Sequence, residues 1–113
     1  MANTPGGKVQ QAQRIAVANN AAVVLSFVAV FKDADGKEGY SPNSANLTYS
    51  QSATIDMAGL AHIGDGAKMR PRISVVAVSE PLEGLEVEFA PNGLAATYTV
   101  TGNAISGCKI ELI

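Results

Sequence analysis

The chain has 113 residues, of which 47% are apolar and only 5% aromatic, with no tryptophan. A chain of this length forms one domain and buries a core without disulfide or metal staples, and its one cysteine excludes an internal disulfide. Eight basic against ten acidic side chains give a net charge of −2. The basic residues are scattered, which excludes the concentrated positive face typical of nucleic-acid-binding proteins.

The sequence predicts a short N-terminal tail followed by one domain. We expect residues 1–8 to form a flexible tail, because they contain a proline and two glycines. Residues 9–113 are then the single domain. No signal peptide stands out, and the longest apolar stretch, residues 21–31, is too short to cross a bilayer. We therefore expect a cytoplasmic location by default, with export without such a signal left open.

The chain alternates between short strand patterns and turn signals. Residues 9–18 are predicted as a strand, with a helix over residues 10–16 as the alternative, and Asn19 and Asn20 end it. The strongest strand is predicted over residues 21–32, and the Asp-Gly turn that follows favours a tight hairpin. The remaining strands are predicted over residues 38–40, 47–49, 53–57, 68–79, 85–90, 94–101 and 105–112.

This spacing predicts an all-β fold, an antiparallel β-sandwich, Ig-like or related, with roughly seven to nine short strands. Unrelated binding modules share such folds, so the fold does not assign a function. No nucleophile elbow, phosphate loop or paired-cysteine metal motif is present in the sequence. We therefore expect neither enzymatic activity nor a cofactor nor a metal ion.

An excess of apolar residues motivates the first functional hypothesis. If residues 80–84 form a hairpin loop, Ala77 pairs with Val87 and Val75 with Phe89, which leaves two valines on the outer face. The second face of the strongest strand is also rich in valine. Outward valines indicate a covered face and thus an interaction module that binds itself or another protein. The predicted interface residues are Val24, Val28, Val30, Val76 and Val78.

A ligand-binding sandwich, lectin-like or calcium-dependent, is the alternative hypothesis. It uses the polar, glycine-rich loops at the sandwich ends, since loops on a rigid scaffold commonly carry function, together with two arginines that could grip an anion. An ordinary hairpin turn, a solvated histidine and a solvated sheet face are the competing interpretations. The candidate residues are Asp33, Asp35, Glu38, His62, Asp65, Arg70 and Arg72.

A membrane-active, β-rich toxin is the lesser alternative. Residues 21–31 are apolar enough to insert, but the sequence lacks the tyrosine and tryptophan belt expected at a membrane interface. We therefore expect neither membranes nor nucleic acid as partners.

Overall fold

The computed structural model describes residues 10–32, 35–60 and 63–113 of the chain. The predicted tail, residues 1–8, lies outside these ranges. Within them the chain forms ten β-strands and one turn of 3-10 helix, Met57–Gly59. The strands are β1 Gln11–Ala12, β2 Arg14–Ala22, β3 Leu25–Lys32, β4 Glu38–Tyr40, β5 Ser52–Asp56, β6 Lys68–Val75, β7 Leu82–Glu83, β8 Val87–Phe89, β9 Ala95–Asn103 and β10 Gly107–Leu112.

The strands form two sheets that pack as a sandwich. The first sheet has the order β1-β8-β6-β3-β4, with β7 beside β6, and the second has the order β10-β9-β2-β5. The predicted all-β sandwich is therefore confirmed. Most neighbouring strands are antiparallel, but β1 pairs with β8 and β2 with β9 in parallel. These two parallel pairs depart from the purely antiparallel sandwich that we predicted.

One hydrophobic core lies between the sheets. Alternate residues of β3 and of β9 are buried, as the period of two in a strand requires. The predicted alternation in β9 is confirmed, because Ala96, Tyr98 and Val100 are all fully buried. Tyr98 also donates a hydrogen bond from its hydroxyl to the Leu85 carbonyl oxygen at 2.6 Å. The polar end of this large side chain is thus satisfied inside the sandwich.

The end of β2 differs from the prediction. Asn19 and Asn20 do not end the strand, since β2 continues to Ala22, and β3 begins only at Leu25. The reason is that the Asn19 side chain points into the core and finds hydrogen-bond partners there. Because the side-chain amide of Asn19 forms its hydrogen bonds inside the fold, this residue can stay within a strand and does not have to end it.

The end of β6 also differs from the prediction. The strand ends at Val75 rather than at residue 79, and Met69 pairs with Val87 in place of the predicted pair of Ala77 and Val87. Ala77 has a left-handed backbone, with φ of 69°, and this turns the chain out of the sheet. Val76 and Val78 consequently lie in a loop and not on the outer face of a hairpin.

The β3–β4 hairpin is confirmed, although residues 33 and 34 of its turn lie outside the described residues. Val30 pairs with Tyr40 and Lys32 with Glu38. Of the other predicted strands, residues 47–49 form only an isolated bridge between Leu47 and Leu25.

Candidate functional site

Four loops lie at one end of the sandwich because of the strand directions. The parallel strands β2 and β9 end together, with Ala22 opposite Asn103. In the other sheet β3 begins and β6 ends at the pair of Leu25 and Val75. The loops at this end comprise residues 22–24, 48–51, 76–80 and 104–106, and we call their surface the apolar end.

The apolar end exposes large apolar side chains and almost no charge. Ile105 is 98% exposed, Tyr49 65% and Val76 61%. Glu80 is the one side chain in these four loops that is charged at neutral pH. The other exposed large apolar residues of the described chain lie elsewhere along the sandwich: Tyr40, Leu85, Leu94 and Ile113. An end of this composition is typical of a surface that binds a partner.

The β9–β10 hairpin holds Ile105 in a defined position. The side-chain oxygen of Asn103 accepts hydrogen bonds from the backbone N–H of Ile105 at 2.9 Å and of Ser106 at 2.6 Å. Gly102 and Gly107 both have left-handed backbones, with φ of 107° and 99°. A Cβ at Gly102 would overlap the Gly107 carbonyl oxygen across the hairpin. The sequence thus builds a tight turn whose tip is an unburied isoleucine.

The buried side chain of Asn19 connects two segments of the apolar end by hydrogen bonds. It is fully buried, and its side-chain amide donates to the carbonyl oxygens of Val23 at 2.8 Å and Leu47 at 3.0 Å. Its side-chain oxygen accepts from the N–H of Ala21 at 2.9 Å. One side chain therefore links the turn after β2 to the segment that precedes residues 48–51.

Backbone conformations that are uncommon for side-chain-bearing residues also occur at the apolar end. Ser50 has φ of 68° and Ala77 has φ of 69°, and these are the only non-glycine residues with positive φ in the described part of the chain. Such conformations cost energy for L-residues and persist where the surrounding structure enforces them. Ser50 and Ala77 therefore indicate that the surrounding contacts fix the backbone of their two loops.

The structure divides the five valines of the predicted interface into two groups. Val24 is half-buried, Val76 is exposed and Val78 is half-buried against the core, all in loops of the apolar end. Val28 and Val30 instead lie in the middle of β3, where Val28 is half-buried and Val30 fully buried. No observation tests an interface at these residues, which stays a prediction.

The cover over Val30 comes from the chain itself. Val30 lies between Arg70 and Tyr40 on the outer face of the first sheet, and the Arg72 guanidinium carbon is 5.6 Å from the centre of the Tyr40 ring. Long side chains of this kind cover apolar surface with their stems. Our sequence reasoning considered the N-terminal segment, a loop or another chain as the cover and missed these side chains.

The two arginines that we considered as an anion-binding pair already form ion pairs with glutamates. Arg70 donates from Nε to Glu83 Oε1 at 2.5 Å, and Arg72 from Nε to Glu83 Oε2 at 3.0 Å. Arg70 also contacts Glu38 at 3.3 Å and Glu86 at 3.7 Å. The hydrogen bond that Arg70 donates to Glu83 is the main cause that raises the pKa of Arg70. The charge of this pair is thus compensated within the sheet.

Of the other candidate residues, Asp35 and Asp65 are exposed at the end opposite the apolar end, and Asp33 and His62 lie outside the described residues. A cavity of about 410 Å³ is lined by Lys32, Gly36 and residues 64–68, so the β3–β4 hairpin and the Asp65 loop do meet. Glu38 points instead to Arg70. In residues 10–32, 35–60 and 63–113, no group of three His, Cys, Asp or Glu side chains could hold a metal ion.

The sandwich is similar to one part of several solved toxins. Suilysin from Streptococcus suis matches with a TM-score of 0.52 at 14% identity over 89% of this chain and 23% of the toxin. Wild-type pneumolysin matches with a TM-score of 0.50 at 17% identity over 88% of this chain and 22% of the toxin. The isolated membrane-binding domain of pneumolysin matches with a TM-score of 0.47 at 16% identity over 88% of this chain and 94% of that domain.

The similarities to suilysin and to wild-type pneumolysin show the fold. The chain spans less than a quarter of the whole toxins that it matches. No protein-family model matches the sequence, and no curated protein matches it. No helix in the described part of the chain is long and apolar enough to cross a membrane.

Proposed function

We propose that this domain is a non-enzymatic interaction module that docks on a membrane surface through its apolar end. The observation that carries the proposal is the exposure of Tyr49, Val76 and Ile105 on four loops that contain one charged side chain, Glu80. Transfer of one Val or Ile side chain out of water is favourable by roughly 1.5–3 kcal/mol when it is fully buried. Val76 and Ile105 at one end therefore provide a driving force for docking, to which the apolar ring of Tyr49 adds.

A membrane fits the composition of this end. Tyrosine is favoured at the boundary between lipid and water because its ring is apolar and its hydroxyl is polar, and Tyr49 stands among the exposed apolar residues. Suilysin, which shares the fold, is a cytotoxin, and the neighbour of comparable length is a membrane-binding domain. We transfer membrane contact to this chain because of the chemistry of its own loops.

The proposal revises our expectation that membranes are not partners of this chain. That expectation followed from the missing tyrosine and tryptophan belt, although residues 21–31 are apolar enough to insert. The structure breaks this stretch at residues 23–24 and places that turn beside three other loops. The apolar surface is therefore assembled from distant parts of the sequence.

The test compares two substitutions at equally exposed residues. Val76 is 61% exposed at the apolar end, and Leu94 is 60% exposed at the start of β9, at the opposite end. We expect Val76→Asp to weaken flotation of the protein with phosphatidylcholine vesicles at least about tenfold, because it places a charge where lipid must be contacted. Leu94→Asp should leave flotation unchanged, and thermal unfolding should show that both variants are folded.

Two results would overturn the proposal. One is that the wild-type protein does not float with vesicles. The other is that both variants lose binding to the same degree. Light scattering on the same samples measures self-association: a wild-type oligomer that Val76→Asp converts to a monomer, without vesicle binding, assigns the apolar end to a second copy of the chain.

A ligand site at the opposite end is the second candidate function. The cavity of about 410 Å³ between the β3–β4 hairpin and residues 64–68 favours it. A bound calcium ion would raise the melting temperature in proportion to its affinity for the folded state. An unchanged melting temperature at millimolar calcium would remove the calcium-dependent version.

A further inference from the structure

The charge distribution of the sandwich bears on the kind of lipid that the apolar end would meet. This inference rests on the proposed function. We infer that the apolar end binds an electrically neutral lipid surface, with Ile105 as its anchor. The inference depends on where the cations of the chain lie and on how the β9–β10 hairpin presents its tip.

Cations are absent from the loops that form the apolar end. Residues 22–24, 48–51, 76–80 and 104–106 contain no Lys or Arg, and their one charge is the carboxylate of Glu80. Proteins that bind anionic membranes use clusters of basic residues next to the surface. A negative surface would here meet a carboxylate and a chain of net charge −2. Electrostatics therefore offers no attraction to anionic lipid at this end.

The basic residues of the strands lie away from the apolar end or are paired. Lys109 in β10 stands opposite Thr101, and its amino group lies 3.6 Å from the Glu111 carboxylate. Lys32 and Lys68 line the cavity at the opposite end. Basic residues thus stand at the opposite end of the sandwich, and the loops of the apolar end contain no Lys or Arg. A neutral surface is the partner that an end without cations fits.

Ile105 has the properties of an anchor. It is 98% exposed, the largest exposure among the large apolar residues of the described chain. The two hydrogen bonds to the Asn103 side chain fix the backbone around it before any partner arrives. A tip that is already ordered loses little conformational entropy on docking. An isoleucine so placed can enter the headgroup region without rearrangement of the hairpin.

The experiment measures vesicle binding as a function of lipid charge and salt. The wild-type protein should float with pure phosphatidylcholine vesicles at least as well as with vesicles that contain phosphatidylserine. High salt should not weaken this binding, because no counterions are displaced. Ile105→Ser should weaken it roughly tenfold or more, since an apolar side chain no longer leaves water. Ile113→Ser, at a residue 72% exposed beyond the end of β10, should have no effect.

Two further variants sharpen the test. Ile105→Lys should shift binding towards phosphatidylserine vesicles and make it sensitive to salt, because it supplies the missing cation. Ile105→Trp places the only tryptophan of the chain at the hairpin tip, so its emission should shift to shorter wavelength on neutral vesicles. An emission spectrum unchanged by those vesicles would show that Ile105 does not enter the lipid.

The outcomes separate this inference from the proposed function. Binding to phosphatidylserine vesicles alone, suppressed by salt, would overturn the neutral-lipid inference and leave membrane docking standing. Binding to neutral vesicles that Ile105→Ser does not weaken would overturn the anchor. Absence of binding to either kind of vesicle would overturn membrane docking itself, and this inference with it.

Discussion

Replacement of Asn19 by alanine tests whether one buried amide holds the apolar end together. The substitution removes one hydrogen-bond partner from each of three backbone groups: the N–H of Ala21 and the carbonyl oxygens of Val23 and Leu47. The Leu47 carbonyl oxygen keeps a second hydrogen bond, from the Leu25 N–H at 3.0 Å. The bond to Ala21 is buried and the bond to Val23 is partly buried, so water can replace the amide at Val23 more easily than at Ala21.

The magnitude follows from the cost of an unsatisfied buried group. Each such group costs about 1–3 kcal/mol, so the buried N–H of Ala21 and the partly buried carbonyl oxygen of Val23 together imply a loss of about 2–4 kcal/mol in the free energy of unfolding. This is a large fraction of the roughly 5–15 kcal/mol typical of a domain. For a chain of this size it corresponds to a fall of roughly 8–16 °C in the melting temperature.

The assay is urea unfolding followed by circular dichroism. Asn20→Ala is the matched control, because the neighbouring Asn20 is exposed and donates only to the hydroxyl oxygen of Thr99 at 2.8 Å. We expect that control to stay within about 0.5 kcal/mol of the wild type. A loss below about 1 kcal/mol in the free energy of unfolding of Asn19→Ala would falsify the reasoning, since a buried polar group without a partner costs at least that much.

Two further predictions concern the hairpin and the arginine pair. Gly102→Ala should destabilise the fold by more than Gly93→Ala in urea unfolding, because both have positive φ but only Gly102 has no room for a Cβ; equal losses would contradict the close approach in the hairpin. Burial tends to raise the pKa of Glu83, but hydrogen bonds from Arg70 and Arg72 outweigh it and hold that pKa below its ordinary value of 4.5. The stability that Glu83 contributes is therefore present above that value and lost as the pH falls through the lowered pKa. The difference between wild type and Glu83→Gln should be largest at neutral pH and shrink in acid, and a difference independent of pH would refute the ion-pair assignment.

Local patterns predicted the parts of the fold that depend on neighbours in sequence. The alternation of Thr with buried residues from Ala96 to Val100 indicates a half-buried strand, and β9 is one. The Asp-Gly pair predicted the β3–β4 hairpin, which the pairing of Val30 with Tyr40 confirms. These signals succeed because strand period and turn chemistry are properties of a few consecutive residues.

Features set by tertiary contacts could not be predicted in this way. Asn19 resembles a turn residue in sequence, and only its position beneath two loops makes it a buried hydrogen-bonding residue. No local signal indicates that Ala77 has a left-handed backbone. The predicted pairing of Ala77 with Val87 was therefore wrong, and Met69 takes the place of Ala77 in that pair. Ile105 was missed as a candidate, although an isoleucine in a short segment between two glycines, Gly102 and Gly107, was a usable signal.

The apolar end could be recognised only once the topology was known. It combines loops that follow β2, β6 and β9 with the segment before β5. Val24 and Val76 entered our sequence hypothesis as members of two sheet faces, and the structure brings their backbones together through a hydrogen bond of 2.9 Å from the Val76 N–H to the Val24 carbonyl oxygen. Tyr49 had no role in that hypothesis. Its loop is held at this end by backbone hydrogen bonds of Asn19 with Ser50 and Gln51 and of Leu25 with Leu47, and these bonds join segments that are distant in sequence.

The parallel pairing of β2 with β9 sets the order in which the protein can mature during its synthesis. β2 leaves the ribosome well before β9, because six strands lie between them in the sequence, and the two strands pair side by side over their full length. Contacts between such distant segments slow folding, because a long loop must close before any of them form. β2 therefore cannot pair with β9 until all the strands between them have been translated. The loops of the apolar end gain their final arrangement only then, so a nascent chain that stops before β9 lacks this assembled surface.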